Sequence, residues 1–262
     1  MPAVAPTSAG KGPIAGAMIG ELLAGKSGNE ALRAGWGVVI GNLIVIGIKL
    51  FRQFNQSNDR LKPRAGNLRW WGAALVLWGA GALAAGTSYE LFSYELKCTG
   101  YEYCRWTSWW EIAYLLMSLA SINAMAAAQA VRLQILLKKK VQAYAAVNTG
   151  LYIVLVIIGT AVPVRFLISF EMLILFAAPT IALFLWINGF RRRPERTSVD
   201  RNLLWIWIGL IAVIGAYFGY YMLGWTDLLW QRGIWFSEND VLHLGLIVWM
   251  FAIYRVLSVD NA

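Results

Sequence analysis

The feature that most constrains this chain is the alternation of long apolar runs with short polar connectors. Six runs, roughly 69–88, 109–131, 141–162, 166–190, 203–224 and 240–257, match the length of about 20 mostly apolar residues that carries a helix across a bilayer. A seventh, roughly 35–51, fits less fully. Lipid offers the backbone no hydrogen-bond partners, so runs of this length must close their own bonds as α-helices. Composition agrees: 59% of the 262 residues are hydrophobic and 14% are charged, against about 25% charged in a typical soluble domain. The expected fold class is all-α, a polytopic helical membrane protein. Its expected parts are a membrane hairpin over 1–51, a basic connector over 52–67 and a six-helix bundle over 68–262.

The formal charge of +9 invites a nucleic-acid reading, but the basic residues fall where membrane topology wants them. Arg52, Arg60, Lys62, Arg64 and Arg69 flank one connector, and Arg132, Lys138, Lys139 and Lys140 mark the next alternate one. Arg191, Arg192, Arg193, Arg196 and Arg201 mark the third, and Arg255 closes the last helix. Lys and Arg concentrate on the cytoplasmic side, so 52–68, 132–140, 191–202 and the C-terminus are expected there. The segments 89–108, 162–165 and 225–239 are then outside. No basic start followed by an apolar stretch and an Ala-x-Ala end marks a cleavable signal. The chain reads as a multi-pass protein of a bacterial inner (plasma) membrane, with lipids as its partners and no nucleic acid.

Glycines recur every four residues at Gly12, Gly16 and Gly20, and again at Gly37 and Gly41. Small residues at that spacing let helix backbones approach closely in lipid. The segment 13–25 is short for a full span and suits a re-entrant or interfacial arm equally well. Glu21 and Lys49 are ionisable residues near membrane depth. The run from Gly16 to Leu50 contains GAMIGELLAGK and EALRAGWG. It resembles a bacterial family of small glycine-zipper membrane proteins of unknown function, which implies packing, with a homo-oligomer or a membrane-protein partner through the zipper, and no chemistry.

The stretch TSYELFSYELKCTGYEYCRWTSWWE, Thr87 to Glu111, concentrates acids, both cysteines and many aromatics. Eight of the fourteen acids lie on or near the expected outer side: Glu90, Glu95, Glu102, Glu111, Glu171, Asp227, Glu238 and Asp240. Glu90, Glu95 and Glu111 stand at the ends of apolar runs, and Glu171 falls about six residues into one. His243, the single histidine, follows Asp240 by three residues, which places both on one helix face. A carboxylate beside an imidazole fixes its tautomer and prepares it as an acid–base group or a metal ligand. Asp240 is equally placed to complement the helix dipole, and His243 to make an interhelical hydrogen bond. Glu90, Glu95, Glu111, Asp240 and His243 are the candidate ligand-binding set, with His243, Asp240 and Glu111 the catalytic candidates. One histidine is too few for the usual zinc site, so no cofactor is expected beyond a hard ion such as calcium on these oxygens. Cys98 and Cys104 bracket a five-residue loop on the outer side, where an oxidising compartment favours a disulfide. The tryptophans Trp70, Trp71, Trp106, Trp109, Trp110, Trp205, Trp207, Trp225, Trp230 and Trp235 fall near expected helix ends, as an interfacial belt would.

The runs TSYELFSYELKC and WTSWWEIAYLLMSLAS resemble the start of alkaline ceramidases, whose seven-helix superfamily includes the progestin and adipoQ receptors. The resemblance implies Glu90, Glu95 and Glu111 as calcium-holding lead-in acids, Ser118 or Ser121 as a helix serine, and His243 as one zinc ligand. That family has three histidines and this chain has one. Three functions stay open: non-catalytic binding of a lipid, small ligand or membrane partner; hydrolysis of a lipid amide or ester; and cation- or proton-coupled transport through Glu171 and Asp240.

Overall fold

The computed structural model describes residues 41, 44–53, 55, 62–88, 108–162, 164–189, 198–232, 236 and 238–260. Six long helices cover most of them: α1 Lys62–Gly86, α2 Trp109–Ala130, α3 Ile135–Ala161, α4 Phe170–Gly189, α5 Ser198–Met222 and α7 Glu238–Asp260. A short helix, α6 Trp225–Trp230, stands between α5 and α7, and a 3₁₀ turn, Arg165–Ile168, precedes α4. No strand occurs among the described residues. Each long helix holds a stretch long and apolar enough to cross a membrane, so the chain is an all-α, multi-pass membrane protein.

The helices outrun the apolar runs at their basic ends. α3 begins at Ile135 and takes in Lys138, Lys139 and Lys140, and α1 begins at Lys62, within the expected connector. Long basic side chains can follow a helix out of the hydrocarbon while their charges stay in water. The entry to α2 is capped by Ser108, whose hydroxyl accepts from the Glu111 backbone N–H at 3.3 Å. Ser-Trp-Trp-Glu is the capping-box pattern, of which the Ser108 half, through the Glu111 backbone N–H, is made here. The run 166–190 divides instead of forming one helix. Ser169 accepts from the Met172 N–H and donates to Phe166 O, which ends the 3₁₀ turn and starts α4. Glu171 therefore lies exposed in the first helical turn, not six residues deep, because the helix restarts beneath it.

The described residues form two compact units, one reaching Thr180 and one beginning at Ile181, so the division falls inside α4. In the first unit α1 and α2 run antiparallel. Ser88 Oγ meets Ser108 Oγ at 2.9 Å, Gly81 lies over Met117 and Ser118, and Ser121 Oγ donates to Ala74 O at 2.7 Å. The helical stretch 44–53 crosses α1 through glycine: a Cβ at Gly47 would stand 2.8 Å from Gly72 O, and one at Gly72 would stand 2.9 Å from Gly47 O. Backbone meets backbone there, which only glycine allows. Gly41, in the expected zipper, has nothing within 4 Å of such a position. The remaining zipper glycines, Gly12, Gly16, Gly20 and Gly37, lie outside the described residues. α3 buries Val141, Ala145, Tyr152, Val156 and Gly159 and turns Val147, Leu151, Val154 and Ile158 outward, a lipid-facing side.

In the second unit α5 packs on α7. A Cβ at Gly245 would collide with the Val213 side chain, so glycine sets how closely these helices approach. The interior is aromatic: Phe184 stacks on Trp207 at 4.3 Å, and Trp207 meets the edge of Trp249 at 5.6 Å. The tryptophan belt accordingly divides. Trp205 is 66% exposed and Trp207 is fully buried, because residues two apart lie on nearly opposite helix faces. Trp71 is likewise core while Trp70, Trp109, Trp110 and Trp225 face outward.

Candidate functional site: a carboxylate and aromatic cluster at the start of the last helix

The end of α5, the short α6 and the start of α7 fold onto one another. Gly224, at φ 62°, supplies the left-handed turn between α5 and α6, a conformation that suits glycine. Thr226 then does two things for α7: its hydroxyl donates to a Glu238 carboxylate oxygen at 2.5 Å and accepts from the Glu238 N–H at 3.3 Å. This satisfies one of the orphan N–H groups at the helix start. Tyr220 Oη donates to Phe236 O at 3.1 Å. The Tyr220 ring sits edge-on to Trp225 at 5.4 Å and to Phe236 at 5.9 Å. Both Glu238 and Asp240 act electrostatically on the Tyr220 hydroxyl.

Asp240 is the deepest acid of this cluster, 1% exposed in the first turn of α7. His243 lies one turn further along the same helix and is half-buried. A carboxylate at this level is favoured by the helix dipole and disfavoured by desolvation. The aromatic rings supply negative faces beside the two carboxylates, a setting that attracts an ammonium group.

Of the five residues expected to form a ligand site, Asp240 and His243 belong to the second unit and Glu111 to the first. Glu90, Glu95 and Glu102 lie outside the described residues, as do Cys98 and Cys104. Among the described residues no three His, Cys, Asp or Glu side chains gather as metal ligands. Ser121, one of the two serines offered by the ceramidase resemblance, is fully buried and donates to Ala74 O. Ser118 is buried beside Gly81.

Two features escaped the reading by charge and histidine. Asp200 is buried in the first turn of α5, although a residue following three arginines looks like solvated connector. The second is a neutral polar network joining α2, α3 and α4. Tyr144 Oη donates to Thr180 Oγ1 at 3.0 Å, and Thr180 donates to Asn123 Oδ1 at 3.0 Å. Asn123 Nδ2 donates to Thr149 Oγ1 at 2.8 Å, which passes its own proton to Ala145 O at 2.9 Å. Asn148 Nδ2 donates to Asn123 Oδ1 at 3.3 Å and to Phe176 O at 3.1 Å. Phe176 O lies in the turn before Pro179, where a proline lacking an N–H weakens the helix's own bonding. The signal was present in the sequence as Tyr144, Asn148 and Tyr152, spaced by four on one face of α3.

The model of a family of unknown function, DUF6962, matches residues 39–259. No curated protein and no solved structure matches the chain.

Proposed function

Because the chain belongs to DUF6962, a family of unknown function, we propose its role from its own site: an integral membrane protein that binds an amine-bearing lipid headgroup or small polar ligand, without turnover, at the Asp240 end of α7. The observation that carries this reading is the burial of Asp240 to 1% at the head of a membrane-spanning stretch. Charge at membrane depth costs about 2.5–3.5 kcal/mol on insertion scales and marks functional positions. Glu238 adds a second carboxylate, Tyr220, Trp225 and Phe236 add rings, and His243 adds a group able to donate to a phosphate. An ethanolamine or choline headgroup carries the complementary pair of charges. The basic connectors 132–140 and 191–202 support an orientation with this cluster outside and the C-terminus cytoplasmic.

The test uses the full chain in nanodiscs, with phosphatidylethanolamine and free ethanolamine as probes. Asp240→Asn is expected to weaken binding about 10- to 100-fold, the range for losing a charge-assisted contact. Asp227→Asn, exposed on α6, is the control and keeps it. Equal retention of the headgroup by the Asp240→Asn variant and the parent chain sinks the proposal.

A further inference from the structure

Tyr152 is fully buried, and among the described residues its hydroxyl meets no hydrogen-bond partner. Its ring is held against Phe176 at 5.2 Å, so the hydroxyl cannot leave without breaking that contact. The residue lies about 13 Å along α3 from its Ala161 end, at 1.5 Å per residue, well inside the span Ile135–Ala161. A polar group buried there without a partner costs about 1–3 kcal/mol.

One turn earlier on the same face stands Asn148. Phe176 O can only accept, so the side-chain nitrogen of Asn148 must be the atom that faces it. That nitrogen donates to Phe176 O and to Asn123 Oδ1, which uses both of its protons. Asn148 Oδ1 therefore accepts none of the bonds this side chain makes among the described residues. An acceptor and a donor–acceptor thus follow one another along α3, beside a network whose other members already satisfy one another.

We propose that Asn148 Oδ1 and Tyr152 Oη hold a hydroxyl oxygen between them inside the bilayer, supplied by an interior water or by the alcohol group of a lipid. The chemistry selects this group. The bridging atom must donate to Asn148 Oδ1, which a carbonyl cannot do. It must also bond Tyr152 Oη without bringing charge, because the neighbours Phe176 and Tyr114 and the adjoining neutral network offer no counter-charge. A hydroxyl meets both conditions.

A double-mutant cycle in nanodiscs tests it. Tyr152→Phe deletes the hydroxyl alone and leaves the ring on Phe176. It is expected to lower the thermal midpoint by about 2–4 °C in the parent chain, the shift produced by about 1 kcal/mol in a chain near this size. In an Asn148→Leu background the same change has no effect, because the bridge is already gone. Coupling in pure phosphatidylcholine, which carries no hydroxyl, identifies water. Coupling that emerges only when phosphatidylglycerol is added identifies a lipid alcohol. Should Asn148→Leu fail to fold, radiolytic labelling of the unaltered chain reads bound hydroxyl directly, with Tyr152 modified despite its burial. A midpoint unchanged or raised by Tyr152→Phe in both bilayers, together with an unlabelled Tyr152, overturns the proposal.

Discussion

The two compact units solve the same problem, holding helices together where lipid gives apolar side chains no reason to associate, by different chemistry. The first unit uses neutral hydrogen-bonding side chains. Asn123 sits at a hub that takes in Tyr144, Asn148, Thr149 and Thr180 from two other helices. The second unit uses shape, with Phe184, Trp207 and Trp249 stacked at its centre, and it buries carboxylates near helix starts at Asp200 and Asp240. The difference separates fastening by neutral groups from the burial of charge. The neutral side chains bond one another across helices, whereas burying a carboxylate carries a desolvation cost that a neutral group does not.

The largest expected effect is at the centre of the second unit. Trp207→Ala removes a fully buried indole from between two rings and is expected to cost about 3–5 kcal/mol, read as the loss of folded fraction in a denaturant titration. Trp207→Phe is the sharper test. Trp207 Nε1 makes no hydrogen bond among the described residues, so a smaller ring forfeits packing volume and no bond. If shape governs this unit, Trp207→Phe retains most of the stability. If it is as damaging as the alanine, the indole N–H matters and the contrast with the first unit collapses.

In the first unit the corresponding change is Asn123→Leu, which keeps the number of side-chain heavy atoms. It removes one bond donated by Asn123 and two that it accepts. Interhelical bonds in membranes average about 0.6 kcal/mol, with some near 1.7, and stranding Thr180 and Asn148 adds desolvation. The expected cost is about 2–4 kcal/mol, although an apolar residue replaces a polar one in a membrane. A neutral or stabilising result in the same titration would show that packing rather than hydrogen bonding holds both units.

The comparison also explains what was legible in the sequence. Six spanning helices were readable because the length of an apolar run is set by the bilayer, whatever the partners. Asp240 and His243 draw notice as candidates because charge and imidazole stand out against such a background. The tyrosine and asparagine ladder on α3 was not, since Asn148 and Thr149 barely interrupt a run averaged over twenty residues, and their meaning depends on facing Phe176 and Thr180 of another helix. The same dependence on neighbours divides Trp205 from Trp207, and it gives Gly47 and Gly72 a close contact that their spacing does not mark. Glu171 failed differently: a 3₁₀ turn and Ser169 restart the helix, and hydropathy does not register a break between two equally apolar segments.

The smallest expected effect isolates what makes a polar contact matter. Ser121 is as buried as Asn123 and also bonds across helices, donating to Ala74 O. Ala74 lies in the middle of α1, so its carbonyl already accepts from the helix's own ladder, and Ser121 takes only its second lone pair. Ser121→Ala therefore leaves no group stranded, and the expected loss is about 0.5 kcal/mol, a small displacement of the same denaturation curve. Asn123→Leu strands donors and acceptors on two helices and should cost several times more. Equal losses at the two positions would mean that the bond itself is what stabilises, and that leaving partners unsatisfied contributes little in this membrane interior.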